Sequence, residues 1–149
     1  MRFRLVILAA LIVACGGEST TSPSGSYADI SGSFSGPIAF TSQGVTLNAT
    51  MSLTITQSGG SMSGTDALVG TVNGIPASGT GTFTGTVAAG NNPSVNVTTA
   101  DADCPALHSQ YSGSYDSANR RLTMTGPLYI TNPDCSVALT YPLTLILNK

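Results

Sequence analysis

The stretch TMSLTITQSGGS, residues 50–61, decides the fold. Met51, Leu53 and Ile55 share one parity, and Thr50, Ser52, Thr54 and Thr56 share the other. Successive side chains of a strand point to opposite faces, so this alternation describes a strand with one apolar and one wet face. The run stops in Gln57-Ser58-Gly59-Gly60-Ser61, a cluster of turn formers.

The same pattern recurs along the chain from Ile30 onward. Phe83, Val87 and the glycines Gly79, Gly81 and Gly85 oppose Thr80, Thr82, Thr84 and Thr86. Leu122, Met124, Leu128 and Ile130 repeat it, as do Val137, Leu139, Tyr141, Leu143, Leu145 and Leu147. Turn clusters GNNPS (residues 90–94) and DSANR (residues 116–120) fall between the runs. The abundance of Thr, Ser and Gly favours strands and turns, and no stretch after residue 28 has a helical period. The expectation is a single all-β domain over residues 29–149, with eight or nine antiparallel strands joined mainly by hairpins. An up-and-down β-barrel is the first choice because closure removes strand edges, with a two-sheet β-sandwich as the alternative. The shape resembles lipocalin-like and avidin-like barrels, although the chain has no Trp and so lacks the first-strand tryptophan of most lipocalins.

Gly32, Gly36, Gly64, Gly79, Gly81, Gly85, Gly113 and Gly126 lie on the apolar parity of their strands, so the inner face alternates bulk with its absence. An eight-stranded barrel is just wide enough to be filled by side chains or to hold one small ligand. The inward glycines either leave a pocket lined by Phe34, Phe40, Phe83, Tyr111, Tyr115 and Tyr141, or make room for those aromatics and for strand curvature. Pro37, Pro127 and Pro142 each interrupt an apolar run, where proline cannot donate to a ladder. In a meander barrel the first strand meets the last, so all three prolines are expected on one kinked or partly open wall.

The amino terminus supplies an address. Arg2 and Arg4 precede an apolar run over residues 5–14, and Cys15 opens the Gly/Ser-rich segment GGESTTSPSGSYA. Positive end, apolar centre and small residues are the layout of an export signal, and the run is about half the roughly 20 residues of a spanning helix. Ile12-Val13-Ala14-Cys15 resembles the lipobox of bacterial lipoprotein precursors. That resemblance implies a signal peptide over residues 1–14, cleavage between Ala14 and Cys15, and acylation of the Cys15 sulfur. Gly16, in place of Asp, resembles the outer-membrane class. Residues 15–28 then form a lipidated, flexible tether, and the protein is expected in the bacterial envelope, lipid-anchored, with the membrane as one partner.

With Cys15 committed to lipid, Cys104 and Cys135 remain as a disulfide pair in a compartment that permits one. Such a bridge would bring Asp103 beside Asp134, with Asp101 and Asn132 near, and oxygen ligands from two loops are what Ca²⁺ requires. Asp101, Asp103 and Asp134 are therefore a candidate metal site, set against the alternative of solvated loop aspartates; no other cofactor is indicated.

His108 is the single histidine, and the sequence contains no G-x-S-x-G, H-E-x-x-H or phosphate-binding glycine loop, so catalysis is not expected. Beyond Cys15 three cations (Arg120, Arg121, Lys149) face seven acids, a side-chain balance of −4 that argues against nucleic acid. The expected function is a non-enzymatic binding module that engages a protein or envelope polymer. The alternative is a carrier of a small apolar ligand inside the barrel.

Overall fold

The computed structural model describes residues 25–149; the expected signal peptide and Cys15 lie outside the described residues. Alternation from Gly32 onward becomes eight strands: β1 (Gly32–Ser42), β2 (Val45–Ser58), β3 (Ser61–Val72), β4 (Ile75–Val87), β5 (Ser94–Asp101), β6 (His108–Asp116), β7 (Arg121–Thr131) and β8 (Val137–Asn148). Each pairs antiparallel with the next, and β8 returns to β1 to form a closed up-and-down barrel. Two tight turns carry the backbone that a two-residue hairpin demands. Gln43 and Gly44 have φ of 51° and 77°, and Asn73 and Gly74 have 51° and 78°, the positive values that match the twist of the flanking strands.

The barrel has two unlike ends. At one, the β2–β3, β4–β5 and β6–β7 connections meet the first described residues and Lys149. This end is sealed. Ile30 is wholly buried; its N–H donates to Gln57 Oε1 (2.8 Å), and Gln57 Nε2 donates to the Ala28 carbonyl (3.0 Å). Tyr27 bridges to Gly90, whose N–H donates to the Ser26 carbonyl (3.1 Å). Ser26 to Ala28, placed by the sequence in the tether, are hydrogen-bonded to the barrel; the rest of that segment, up to residue 24, lies outside the described residues. Beneath this plug Phe34, Val95, Leu122 and Leu147 are fully buried, each contributing about 1.5–3 kcal/mol by leaving water, and Phe34 meets Tyr115 edge to face at 6.0 Å.

The other end, the mouth, carries the two tight turns and the loops 102–107 and 132–136. A disulfide between Cys104 and Cys135 (S–S 2.12 Å, Cα–Cα 5.5 Å) ties these loops together across it.

Closure is thinnest where the prolines fall. The β1–β8 ladder is a single pair, Ser35 with Asn148. Proline cannot donate, so Pro37 ends the pairing, and the Gly36 backbone lies so close to the Ile146 carbonyl that a Cβ would overlap it. Towards the mouth, side chains take over from backbone: the Phe40 and Tyr141 rings meet at 4.7 Å between centroids, tilted by 45°, and the Tyr141 hydroxyl donates to the Ser42 carbonyl (3.3 Å). Pro127 and Pro142 face each other in the β7–β8 register. Pro37, on the neighbouring strand, is level with Ile146 when the Ser35–Asn148 register is extended. The three prolines thus share one wall but not one height.

Candidate functional site: a cavity in the mouth half of the barrel

Glycines on the inner face have different consequences, position by position. A Cβ on Gly64 would come within 2.7 Å of Phe83 Cζ, and one on Gly85 within 2.7 Å of Met62 Cε. A Cβ on Gly126 would overlap the Tyr111 ring. These three make room for a side chain of the adjacent strand. Gly79 is the exception: nothing lies within 4 Å of where its Cβ would stand. It faces a cavity of about 350 Å³ that occupies the mouth half of the barrel and reaches the loops at Leu107 and Thr131. That volume is at the low end of the roughly 300–1,000 Å³ usual for small-molecule sites.

The lining is mainly aliphatic, with Leu47, Met51, Leu68, Val72, Leu128 and Leu143 supplied by β2, β3, β7 and β8. Of the six aromatics expected around a pocket, only Tyr111 lines it. Phe34, Phe83 and Tyr115 are buried in the sealed half, where they fill the barrel. Phe40 and Tyr141 turn to each other at the β1–β8 seam. The correction has a simple cause: alternation assigns a residue to the inner face but says nothing of its height along the axis, and height separates the packed half from the hollow one.

The polar groups of the cavity converge on Asp66. This residue of β3 has the inward parity of Met62 and Leu68, and it pairs across the ladder with Gly81, where a Cβ would stand 2.8 Å from Asp66 Oδ1. Gly81 in turn pairs with Asp101, which also lines the cavity. Asp66 Oδ1 is cut off from solvent and has no hydrogen-bond partner among the described residues. Burial, with the charge of Asp101 added, raises the Asp66 carboxyl above the usual carboxylate range. Tyr111 donates its hydroxyl to the Pro127 carbonyl (2.8 Å). Burial foremost, and then the Asp66 charge, pushes its phenol up to about 12. Asp66 was missed as a site residue in the sequence, although its parity places a charge on an apolar face.

The candidate metal site is not assembled. Asp101 Oδ1 accepts the N–H groups of Asp103 and Cys104 (2.9 and 2.8 Å), which folds the carboxylate onto its own loop. Asp134 does the same in the other loop, accepting from the N–H and hydroxyl of Ser136 (3.0 and 2.6 Å), bonds that hold its carboxyl below the ordinary value. Among the described residues no three acidic, His or Cys side chains come together in a set able to hold a metal, so Asp101, Asp103 and Asp134 do not form one. His108 is exposed at the start of β6, with Nδ1 3.3 Å from the Thr99 carbonyl.

No family model, curated protein or solved structure matches the chain. The arrangement on its own terms is a mainly aliphatic chamber with two carboxylates, Asp66 and Asp101, in its wall and one open end, which can enclose a small molecule and orient it.

Proposed function

We propose that this is a lipid-anchored protein of the bacterial envelope and a carrier, not a catalyst: its barrel binds a small, mainly apolar ligand in the mouth half. The observation that carries this reading is the cavity of about 350 Å³ beside Gly79, at the end away from the Ile30 plug. Lipid on Cys15 and an outer-membrane address rest on the lipobox resemblance of Ile12-Val13-Ala14-Cys15. The described chain enters the barrel at the sealed end, so an anchor at Cys15 would hold that end nearest the bilayer and leave the mouth facing away.

A second reading, a module that docks a protein or envelope polymer, is favoured by Val69 and Ile75, which are 64% and 69% exposed on the β3–β4 hairpin. The two readings separate by mass. The full chain, exported by a bacterial host and purified in detergent, is weighed under native and then denaturing conditions. A native mass that exceeds the denatured one by a discrete non-lipid adduct supports the carrier. A bare protein that pulls down a polymer or protein through the β3–β4 hairpin overturns it.

A further inference from the structure

The carrier reading leaves the ligand's chemistry open, and the cavity wall narrows it. A wholly apolar guest would leave Asp66 Oδ1 buried and unpaired and would strip water from the rest of the carboxylate, a desolvation cost that nothing in the guest offsets. No resident cation relieves it. The described cations are Arg120, Arg121 and Lys149, and all lie at the sealed end: Arg121 stands 3.8 Å from Asp116, and Lys149 Nζ lies over the Phe34 ring at 5.9 Å. Asp101, across Gly81 from Asp66, adds a second negative charge to the same wall. Opposite these carboxylates the lining is aliphatic, so the chamber is polarised: negative on β3 and β5, apolar on β2, β7 and β8.

Resting on the carrier reading, we infer that the cavity takes a small apolar molecule bearing a protonated amine, with its ammonium donating to Asp66 and its hydrocarbon body against Leu47, Met51 and Leu128. A carboxylate ligand of the same size would be repelled by the Asp66–Asp101 wall. A neutral alcohol would satisfy one oxygen without the charge, and charge-assisted hydrogen bonds are about twice as strong as neutral ones.

The test uses three matched probes, 2-phenylethylamine, 2-phenylethanol and phenylacetate, titrated calorimetrically into the full chain in zwitterionic lipid nanodiscs, with empty nanodiscs as the blank. The expected result at pH 7 is that the amine binds at least tenfold more tightly than the alcohol and that phenylacetate does not bind. Asp66→Asn should bring the amine-to-alcohol ratio close to one while alcohol binding persists. Gly79→Leu, which fills the chamber, should abolish both. In the unaltered chain, lowering the pH through the Asp66 titration should remove the amine preference, with Asp101, Tyr111 and Tyr129 the other titratable groups about it.

Equal binding of amine and alcohol, lost in Gly79→Leu, would overturn the amine assignment and leave the carrier intact. A tenfold preference that survives Asp66→Asn would overturn the role of Asp66. Absence of binding by all three probes would overturn both the assignment and the carrier reading.

Discussion

Replacing glycine by alanine at two inner-face positions should change stability in opposite directions. Gly64 and Gly79 both lie on the inward parity, on adjacent strands, and neither has a positive φ. At Gly64 the new methyl would overlap the Thr54 carbonyl, part of the β2–β3 ladder, and press on Phe83 Cζ at 2.7 Å. Backbone cannot yield there without disturbing the pairing. Overpacking of this kind costs about 1–3 kcal/mol, against which the reduced freedom of the unfolded chain returns about 0.5–1 kcal/mol. The net for Gly64→Ala is a loss of about 1–2 kcal/mol. At Gly79 the methyl enters empty space, so only the gain of about 0.5–1 kcal/mol remains. The two variants should differ by about 2–3 kcal/mol, or about 8–12 °C in Tm for a domain of this size. Urea unfolding followed by far-ultraviolet circular dichroism, with the disulfide intact, reads the difference directly. Destabilisation of both variants to a similar extent would refute the hollow mouth, because Gly79 would then face packed atoms.

Three further outcomes follow from the same geometry. Replacing Cys104 and Cys135 together by Ser should lower stability by about 3.7 kcal/mol, the chain-entropy value for a separation of 31 residues, as measured by urea unfolding; no change would show that the loops are held by other contacts. Asp66→Asn should stabilise the ligand-free protein at pH 7 by about 0.5–1 kcal/mol, a figure reduced for its partial exposure. The sign follows from linkage: a carboxyl raised by burial favours its neutral form, so its stability is fully present below about pH 3.8 and lost as the pH rises through the raised value. The gain should therefore vanish near pH 3, and a pH-independent gain would refute the burial argument. Cys15→Ser should release the protein from membranes in a fractionation experiment, and continued tight membrane association would refute lipid anchoring.

Most of the fold was legible in the sequence because a period of two is an inherently local signal. Met51, Leu53 and Ile55 point inward for the same reason that Thr50, Ser52 and Thr54 point out, and closure of the sheet adds no further condition on parity. The Asn73-Gly74 and Gln43-Gly44 turns are equally local, although the expectation placed turns only at longer clusters. The pocket was legible only in part. Whether Phe83 lines a cavity or fills a core depends on its height and on Gly64 one strand away, and both are set by register. Asp66 was within reach of the sequence: Met62, Gly64, Asp66 and Leu68 share a parity, and a charge among inward positions marks a functional or strained site more often than an error. The candidate calcium site, weighed in the sequence against solvated loop aspartates, is not assembled for a reason that spacing does not reveal, since Asp101 and Asp134 each fold back on backbone N–H groups of their own turns.

The distribution of support along the barrel bears on what the mouth is for. Full burial concentrates at the sealed end, where Ile30, Phe34, Val95, Leu122 and Leu147 share one core, whereas the mouth half encloses the cavity. A half-hollow barrel forgoes dispersion and burial there, and the seam makes the deficit worse because the β1–β8 ladder stops at Pro37. Both compensating devices sit at that weak end: the Cys104–Cys135 bridge across the loops, and the Tyr141 hydroxyl with its ring against Phe40 across the seam. A barrel selected for stability alone would gain more by filling the space beside Gly79 with a larger residue, which its ordinary strand backbone permits. Keeping glycine there, and an unpaired carboxylate at Asp66 in the same wall, gives up stability at two neighbouring positions and is consistent with a chamber kept open for a guest.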